Sequence, residues 1–166
     1  MSNSLILHGQ HQFQKENHFL QKETFENLEA LKKCALENGH TIEVLSGHRN
    51  FSAQLKIWNE KAKGLRPLYD RQQKLLNYSS LSEKELLESI LTWSAIPGFS
   101  RHHWGTDIDI YDSSKVESKS DVQLLPSECS EGGPFNNLHT WLDKKIQTNE
   151  SYGFFRPYDK EQGGVS

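Results

Sequence analysis

The segment that most constrains this chain spans residues 100–109 and follows the pattern S-x-H-x-x-G-x-x-x-D. It carries an imidazole at His102 and a carboxylate at Asp109, with Gly105 between them. A neutral imidazole and a carboxylate oxygen are both ligands that zinc accepts in proteins. Because glycine adopts backbone angles that are closed to other residues, we expect the chain to turn at Gly105 and to bring His102 over Asp109.

Residues 106–111 alternate between two faces, which predicts a β-strand. Ile108 and Ile110 would lie on one face, and Asp107 and Asp109 would share the other. Two neighbouring carboxylates repel each other unless a cation lies close to them. The pattern therefore favours a metal ion or a buried arginine at this point, whereas the alternative is a solvated turn followed by an edge strand.

A second segment, residues 46–54, places Arg49 where a predicted strand meets the start of a helix. Such junctions expose backbone N–H groups and favour anions. An arginine there can hold a carboxylate or stabilise an oxyanion. Gln54 falls one turn into the helix and can point back toward the same pocket. The alternative is a surface arginine with a helix-flanking glutamine. His48 is expected to face away from Arg49, and His103 is expected to be structural.

The apolar spacing and the end signals of the remaining sequence predict an α+β fold. Ser82 and Glu85 form a capping box, which predicts the start of a helix. Asn50 can cap the preceding helix, whose expected core-facing stripe consists of Phe51, Leu55, Trp58 and Ala62. The predicted helices lie at about 20–37, 50–64, 82–96 and 138–146; the predicted strands lie at 40–46, 106–111 and 152–155; and polar loops are predicted at 65–80 and 113–134.

The composition excludes several classes of protein. A chain of 166 residues fits one domain with its own core. A net charge of -3 without a basic stripe argues against a nucleic-acid partner. We expect no membrane span and no secretory signal at the N-terminus. Cys34 and Cys129 lie far apart and are expected to be free thiols.

Taken together, the two segments resemble motifs of the VanY-like D-alanyl-D-alanine carboxypeptidases. Residues 46–54 are similar to that family's S-G-x-R-x-x-x-x-Q segment, and residues 100–109 are similar to its S-x-H-x-x-G-x-A-x-D zinc motif. The family belongs to the M15 zinc peptidases, a group that includes D-Ala-D-Ala dipeptidases and hedgehog-like domains. The resemblance covers roughly residues 25–166. It implies that residues 1–166 are one domain with a small antiparallel sheet flanked by helices and a zinc groove on the sheet.

The resemblance also implies roles for individual residues. His102 and Asp109 would be ligands of Zn²⁺, and Arg49 would stabilise the developing oxyanion. Gln54 and Ser100 would seat the backbone or the terminal carboxylate of the substrate.

The chain departs from the family pattern at two places. Asp107 stands where the family has alanine, and its carboxylate can hold a zinc ligand or Arg49 in place. In the family, a glycine-rich turn is followed by an E-x-W-H-type segment that supplies the general base and the third ligand. Because residues 163–166 correspond to that turn, we expect the domain to be C-terminally incomplete. Other candidates for the missing roles lack the family's context; these are His48, His139, Glu150 and Glu161.

The expected function is zinc-dependent removal of the last residue from peptidoglycan stem peptides or other peptides ending in D-Ala-D-Ala, by a monomer. The substrate implies the periplasm or cell envelope, although no signal peptide is apparent. Three alternatives stay open: a peptidoglycan- or metal-binding module without activity, an endopeptidase cutting at L-Ala-D-Glu, and a cytoplasmic domain with an unrelated role.

Overall fold

The structure is a computed structural model that describes residues 12–15 and 18–158. Its architecture is α+β, with small antiparallel sheets flanked by helices, as predicted. The strands are β1 (Gln12–Lys15), β2 (His18–Gln21), β3 (Ile42–Ser46) and β4 (Asp109–Asp112). The helices are α1 (Lys22–Glu37), α2 (Phe51–Ala62), α3 (Glu83–Trp93), α4 (Pro126–Cys129) and α5 (Asn136–Gln147).

Side-chain caps begin two of the helices where the sequence predicts them. The Asn50 side chain accepts a hydrogen bond from the Ala53 N–H at 2.8 Å at the start of α2. Ser82 and Glu85 form the capping box of α3. Each such cap stabilises a helix by about 0.5–2 kcal/mol. No helix among the described residues is long and apolar enough to cross a membrane.

The pair of β3 and β4 packs against α1 and α5 and forms the main core. Leu31 and Ala35, one helical turn apart on α1, are both buried against it. Ile42 of β3, with Leu138 and Leu142 of α5, completes this cluster. The packing fixes the position of β4, the strand that begins with Asp109.

A β-bulge alters the register at the end of the sheet that leads to Arg49. Val44 pairs with Ile110 and Ser46 pairs with Asp109, so Leu45 is an extra residue on β3. A bulge bends its strand and changes the direction of nearby side chains. Here it sets Asp109 opposite the last residue of β3, three residues before Arg49.

Two predicted strands were wrong in extent or existence. β4 begins at Asp109 rather than 106 because β3 ends opposite Asp109, so residues 106–108 extend beyond the partner strand. Residues 152–155 form a turn, since Tyr152 (φ 55°) and Gly153 (φ 80°) have left-handed backbone angles that a strand does not accept.

The predicted polar loop 113–134 was also wrong, because it contributes to the core. Val122 and Cys129 are buried with Tyr111 and Phe135 in a second apolar cluster. The loop contains α4 and two turns of 3₁₀ helix, Ser113–Lys115 and Lys119–Asp121. Cys34 and Cys129 are free thiols.

The predicted apolar stripe of α2 does not form the buried face of that helix. Phe51 is 55% exposed and Leu55 is 39% exposed, whereas Gln54 is 1% exposed. Since a buried glutamine needs hydrogen-bond partners, this face of α2 packs against a polar site rather than against the apolar core.

The buried carboxylate of Asp112 ties the end of β4 to its neighbours. It accepts hydrogen bonds from the Ser114 hydroxyl at 2.7 Å and from the Thr41 N–H at 3.2 Å, and it lies 3.2 Å from His40 Nδ1. Burial raises the pKa of Asp112, but the hydrogen bonds from Ser114, Thr41 and His40 outweigh burial and hold that pKa below its ordinary value of 3.8. The stabilisation is therefore present above the ordinary value and is lost as the pH falls through the lowered pKa.

We expect Asp112→Asn to lower the free energy of unfolding by about 1–3 kcal/mol near neutral pH, because charge-assisted hydrogen bonds are lost. The difference from the wild type should shrink as the pH falls below the ordinary value of 3.8 and through the lowered pKa, where the wild-type carboxylate also becomes neutral. Urea titrations over this range measure both effects. Glu117→Gln, at an exposed position, is the control and should change stability by less than about 0.5 kcal/mol. A difference for Asp112→Asn that stays constant with pH would contradict this account.

Candidate active site

A groove with a cavity volume of about 890 Å³ runs beside the start of β4. Its wall includes the turn of 3₁₀ helix Arg101–Trp104, part of α2, and residues 91–95 and 151–158. All six residues singled out by the sequence line this groove: Arg49, Gln54, Ser100, His102, Asp107 and Asp109.

Gly105 makes the turn that the sequence predicts. It ends the 3₁₀ turn with a left-handed φ of 68°, a conformation that favours glycine. The backbone of this turn is held from two sides, because Gln21 N donates to the Gly105 carbonyl at 2.9 Å and Arg49 N donates to the His102 carbonyl at 3.1 Å. The turn thereby joins β2, the Arg49 segment and β4.

His102 is oriented by a backbone hydrogen bond. The ring is buried, and its Nδ1 lies 3.1 Å from the Asp107 carbonyl oxygen. A carbonyl oxygen only accepts, so Nδ1 carries the proton of this bond and Nε2 of the neutral ring keeps a lone pair. That lone pair faces Asp109 Oδ2 at 3.3 Å and Asp107 Oδ2 at 3.8 Å. The two side chains that the sequence places seven positions apart therefore meet.

The His102 and Asp109 donors fit part of a zinc site. A nitrogen and an oxygen bound to one tetrahedral zinc at about 2.1 Å would themselves lie about 3.4 Å apart. The observed Nε2 to Oδ2 distance of 3.3 Å agrees with this separation. Within residues 12–15 and 18–158, no group of three or more His, Cys, Asp or Glu side chains is arranged to hold a metal ion, so the pair supplies two donors.

Arg49 lies at the junction between β3 and α2, as predicted. Its Nη2 is 3.6 Å from Asp109 Oδ2, and its Nη1 donates to Gln54 Oε1 at 2.9 Å. Burial lowers the pKa of Arg49, while the charges of Asp109 and Asp107 oppose that effect. The guanidinium stays charged near neutral pH, since arginine does not lose its proton in proteins.

Gln54 positions Arg49 from the buried face of α2. Its Nε2 donates to the Ala95 carbonyl at 2.8 Å, and the Trp58 indole N–H donates to the same oxygen at 2.7 Å. Because Nε2 is bonded to Ala95, Oε1 of Gln54 faces Arg49 and accepts its hydrogen bond. This bond fixes the orientation of the guanidinium.

His103 has a structural role in this arrangement. Its Nδ1 donates to the Arg49 carbonyl, and its Nε2 accepts from the Gly98 N–H at 3.0 Å. Both ring nitrogens are occupied, so His103 braces the Arg49 segment rather than offering a ligand. Ser100, immediately before the turn, is buried at the groove wall.

Asp107 lies beside the pair rather than between its members. Its Oδ1 is 3.6 Å from Arg101 Nε, and its backbone carbonyl is the acceptor that orients His102. The backbone of Asp107 therefore orients the His102 ring, while its carboxylate faces Arg101.

The other sequence candidates that the structure describes add no third donor beside His102 and Asp109. His139 lines the groove, but its Nδ1 accepts from Arg156 Nη2 at 3.0 Å, and burial lowers its pKa to about 4. Glu150 is paired with Lys145 at 3.1 Å. Within the described part of the chain, neither Glu150 nor His48 lines the groove. Glu161 lies outside the described residues.

Four cationic side chains that line the groove were not predicted as site residues: Lys61, Arg66, Arg101 and Arg156. Arg101 is the second residue of the 100–109 segment and places its guanidinium 5.9 Å from the Phe155 ring centre. Lys61 follows Gln54 by seven residues, which is the spacing of one helix face. That spacing is the available signal, whereas the predicted apolar stripe lies on the neighbouring face.

A family model of the VanY D-alanyl-D-alanine carboxypeptidases matches residues 17–166. Two uncharacterized proteins of Haemophilus influenzae (strain ATCC 51907 / DSM 11121 / KW20 / Rd) are each 38% identical to the chain. One match spans 80 residues (48% of this chain and 55% of the relative), and the other spans 55 residues (33% and 42%). The chain therefore spans about half the length of the curated relatives it matches.

Two solved structures share the fold. One is a mutant of the vancomycin resistance D,D-pentapeptidase VanY from a VanB-type resistance cassette, in complex with Zn(II); its TM-score is 0.63 at 23% identity, covering 91% of this chain and 68% of that chain. The other is VanYB in complex with D-alanine-D-alanine, with a TM-score of 0.61 at 22% identity, covering 90% and 67%. At these identities the similarity establishes the fold, in agreement with the expected architecture.

The turn at Gly105 provides a test of how the site is built. Gly105→Ala and Gly39→Ala both place alanine at a left-handed φ, and neither added methyl group would be closer than 3.4 Å to the non-adjacent atoms around it. Each change should lower the free energy of unfolding by about 1–2 kcal/mol. Only Gly105→Ala should also weaken zinc binding, by about tenfold or more, because the turn aims His102. Urea unfolding and competitive zinc titration measure the two effects, and equal zinc affinity in both variants would contradict the proposed role of the turn.

Proposed function

Because the chain belongs to the VanY D-alanyl-D-alanine carboxypeptidase family, whose model matches residues 17–166, we propose that it is a zinc-dependent carboxypeptidase. The substrate would be a peptide ending in D-Ala-D-Ala, such as a peptidoglycan stem peptide, and the bond cut would be the last peptide bond. The observation that carries the proposal is the 3.3 Å separation of His102 Nε2 and Asp109 Oδ2, within reach of Arg49.

In this proposal His102 and Asp109 hold the zinc ion. The Asp107 carbonyl keeps the proton of His102 on Nδ1, so the Nε2 lone pair is available without any change of tautomer. When bound, zinc supplies a water whose pKa is lowered toward about 7. The remaining steps depend on how the side chains of this chain hold the peptide.

Arg49 stabilises the negative charge that develops on the scissile carbonyl oxygen. The guanidinium is already fixed by Gln54 and is partly removed from water, so its field acts without reorganisation at the moment of reaction. Gln54 is thus a positioning residue. Ser100 would hold the backbone or the terminal carboxylate of the peptide; its burial at the groove wall supports this role.

One observation favours a second candidate function. The described cluster offers two metal donors rather than three, which is also what a metal- or peptidoglycan-binding module without hydrolysis would show. The two functions differ in turnover. The carboxypeptidase releases free D-alanine from a peptide ending in D-Ala-D-Ala, whereas the module binds the same peptide and leaves it intact.

We expect His102→Ala and Asp109→Ala each to abolish stoichiometric zinc binding, because each removes one of two neighbouring donors. Asp107→Ala is the matched control. It should keep stoichiometric zinc with an affinity lower by up to about 10–100-fold, since only a supporting carboxylate is lost. Metal content after dialysis, measured by atomic emission, separates these outcomes. Full zinc occupancy in the first two variants would remove both residues from the site.

We expect Arg49→Ala to bind zinc as the wild type does but to lower kcat by about 10²–10³-fold, because the oxyanion loses its stabilising charge. Arg71→Ala, at an exposed position, should leave kcat unchanged. Release of D-alanine from a D-Ala-D-Ala peptide provides the rate. An Arg49→Ala enzyme with unaltered kcat would exclude the proposed role of this arginine.

A further inference from the structure

Lys61 is a cation of the groove that the mechanism above does not use. It lies at the C-terminal end of α2, seven residues after Gln54, and both line the groove. Seven residues of α-helix span about 10 Å, so the backbone of Lys61 lies about two helical turns beyond that of Gln54. Gln54 and Lys61 contact neighbouring residues of the groove floor, since Gln54 donates to the Ala95 carbonyl and Lys61 Nζ donates to the Ser94 hydroxyl at 2.6 Å.

The Lys61 ammonium has no carboxylate partner among the described residues. The nearest acid on α2, Glu60, is already paired with Arg66 at 2.6 Å and with Lys56 at 3.8 Å. The hydroxyl of Ser94 uses one of the three ammonium protons, which leaves two donors available. Burial, followed by the charges of Arg66 and Arg49, lowers the pKa of Lys61 to about 8, so the side chain is largely charged at neutral pH.

An ammonium that is partly removed from water, close to two guanidinium groups and without a counter-ion, favours an anion in the groove. We propose that Lys61 binds a second carboxylate of the substrate, on the part of the peptide that remains after cleavage. This inference rests on the carboxypeptidase function proposed above. It makes Lys61 a residue that determines specificity, and the preferred substrate a peptide with an acidic group close to its D-Ala-D-Ala end.

Lys61 is left for a part of the peptide that the other groove residues do not hold. A carboxypeptidase releases one residue, whose own carboxylate lies within about one residue length, roughly 3.5 Å, of the scissile bond. Ser100 and Gln54 are the side chains that the family resemblance assigns to that terminal carboxylate or to the adjoining backbone. The second carboxylate therefore belongs to one of the residues preceding the terminal pair.

The test uses two pairs of pentapeptides ending in D-Ala-D-Ala. In the first pair the third residue carries a side-chain carboxylate or the matching carboxamide, and in the second pair the second residue does so. The zinc-loaded protein should show a KM about tenfold or more lower for the carboxylate member of at least one pair, with similar kcat, as expected for a hydrogen bond between charged groups.

Three variants assign this preference to a side chain. Lys61→Met keeps the length of the side chain and should raise KM for the carboxylate peptide alone, which removes the preference. Lys61→Arg should restore most of it, because the charge returns. Lys56→Met, at an exposed position on the same helix, should keep the wild-type preference. Thermal unfolding checks that the variants are folded. If Lys61→Met is not folded, Lys61→Gln takes its place.

The outcomes separate this inference from the proposed function. Turnover of all four peptides with equal KM within each pair, or a preference that survives in Lys61→Met, would overturn the role of Lys61 and leave the carboxypeptidase function standing. Absence of turnover with every peptide would refute the carboxypeptidase function. Calorimetry would then compare the binding affinities of the carboxylate and carboxamide members of each pair. Tighter binding of the carboxylate member, lost in Lys61→Met, would support the role of Lys61, and equal affinities would overturn it.

Discussion

The site depends on one short contact, between the lone pair of His102 Nε2 and the carboxylate of Asp109. Both groups are acceptors when the histidine is neutral, so their approach to 3.3 Å is unfavourable unless a proton or a metal ion lies between them. Two features hold them there: the left-handed turn at Gly105 and the hydrogen bond from Nδ1 to the Asp107 carbonyl. The fold therefore fixes a pair that a bound proton or cation would stabilise.

The rest of the fold serves to hold the two sides of this contact. β4 delivers Asp109, and its position follows from the packing of the sheet on α1 and α5. The bulge at Leu45 sets the end of β3 against Asp109, and the chain then reaches Arg49 within three residues. His103 closes the arrangement by bonding the Arg49 and Gly98 backbones. A left-handed turn at one glycine and long-range packing are thus both needed.

Much of this arrangement could be predicted from the sequence, because its determinants are local. The cap at Asn50, the capping box at Ser82 and the turn at Gly105 each depend on residues a few positions apart. The start of β4 could not be predicted, since it is set by where the partner strand ends. The buried face of α2 was also missed. Periodicity favours the apolar side chains, whereas Gln54 is buried because Arg49 and Ala95, both outside the helix, provide its hydrogen-bond partners.

The charges explain how the chain accommodates Asp107 where the resembling motif has alanine. The extra carboxylate lies 3.6 Å from Arg101, so the additional acid is matched by an additional base. Arg49 and Asp109 also balance each other, and the cluster as a whole is close to neutral. A divalent cation would then leave the site with a net positive charge. With the ammonium of Lys61 in the same groove, that charge would favour anionic ligands, so that metal binding and ligand binding would be linked through the same field.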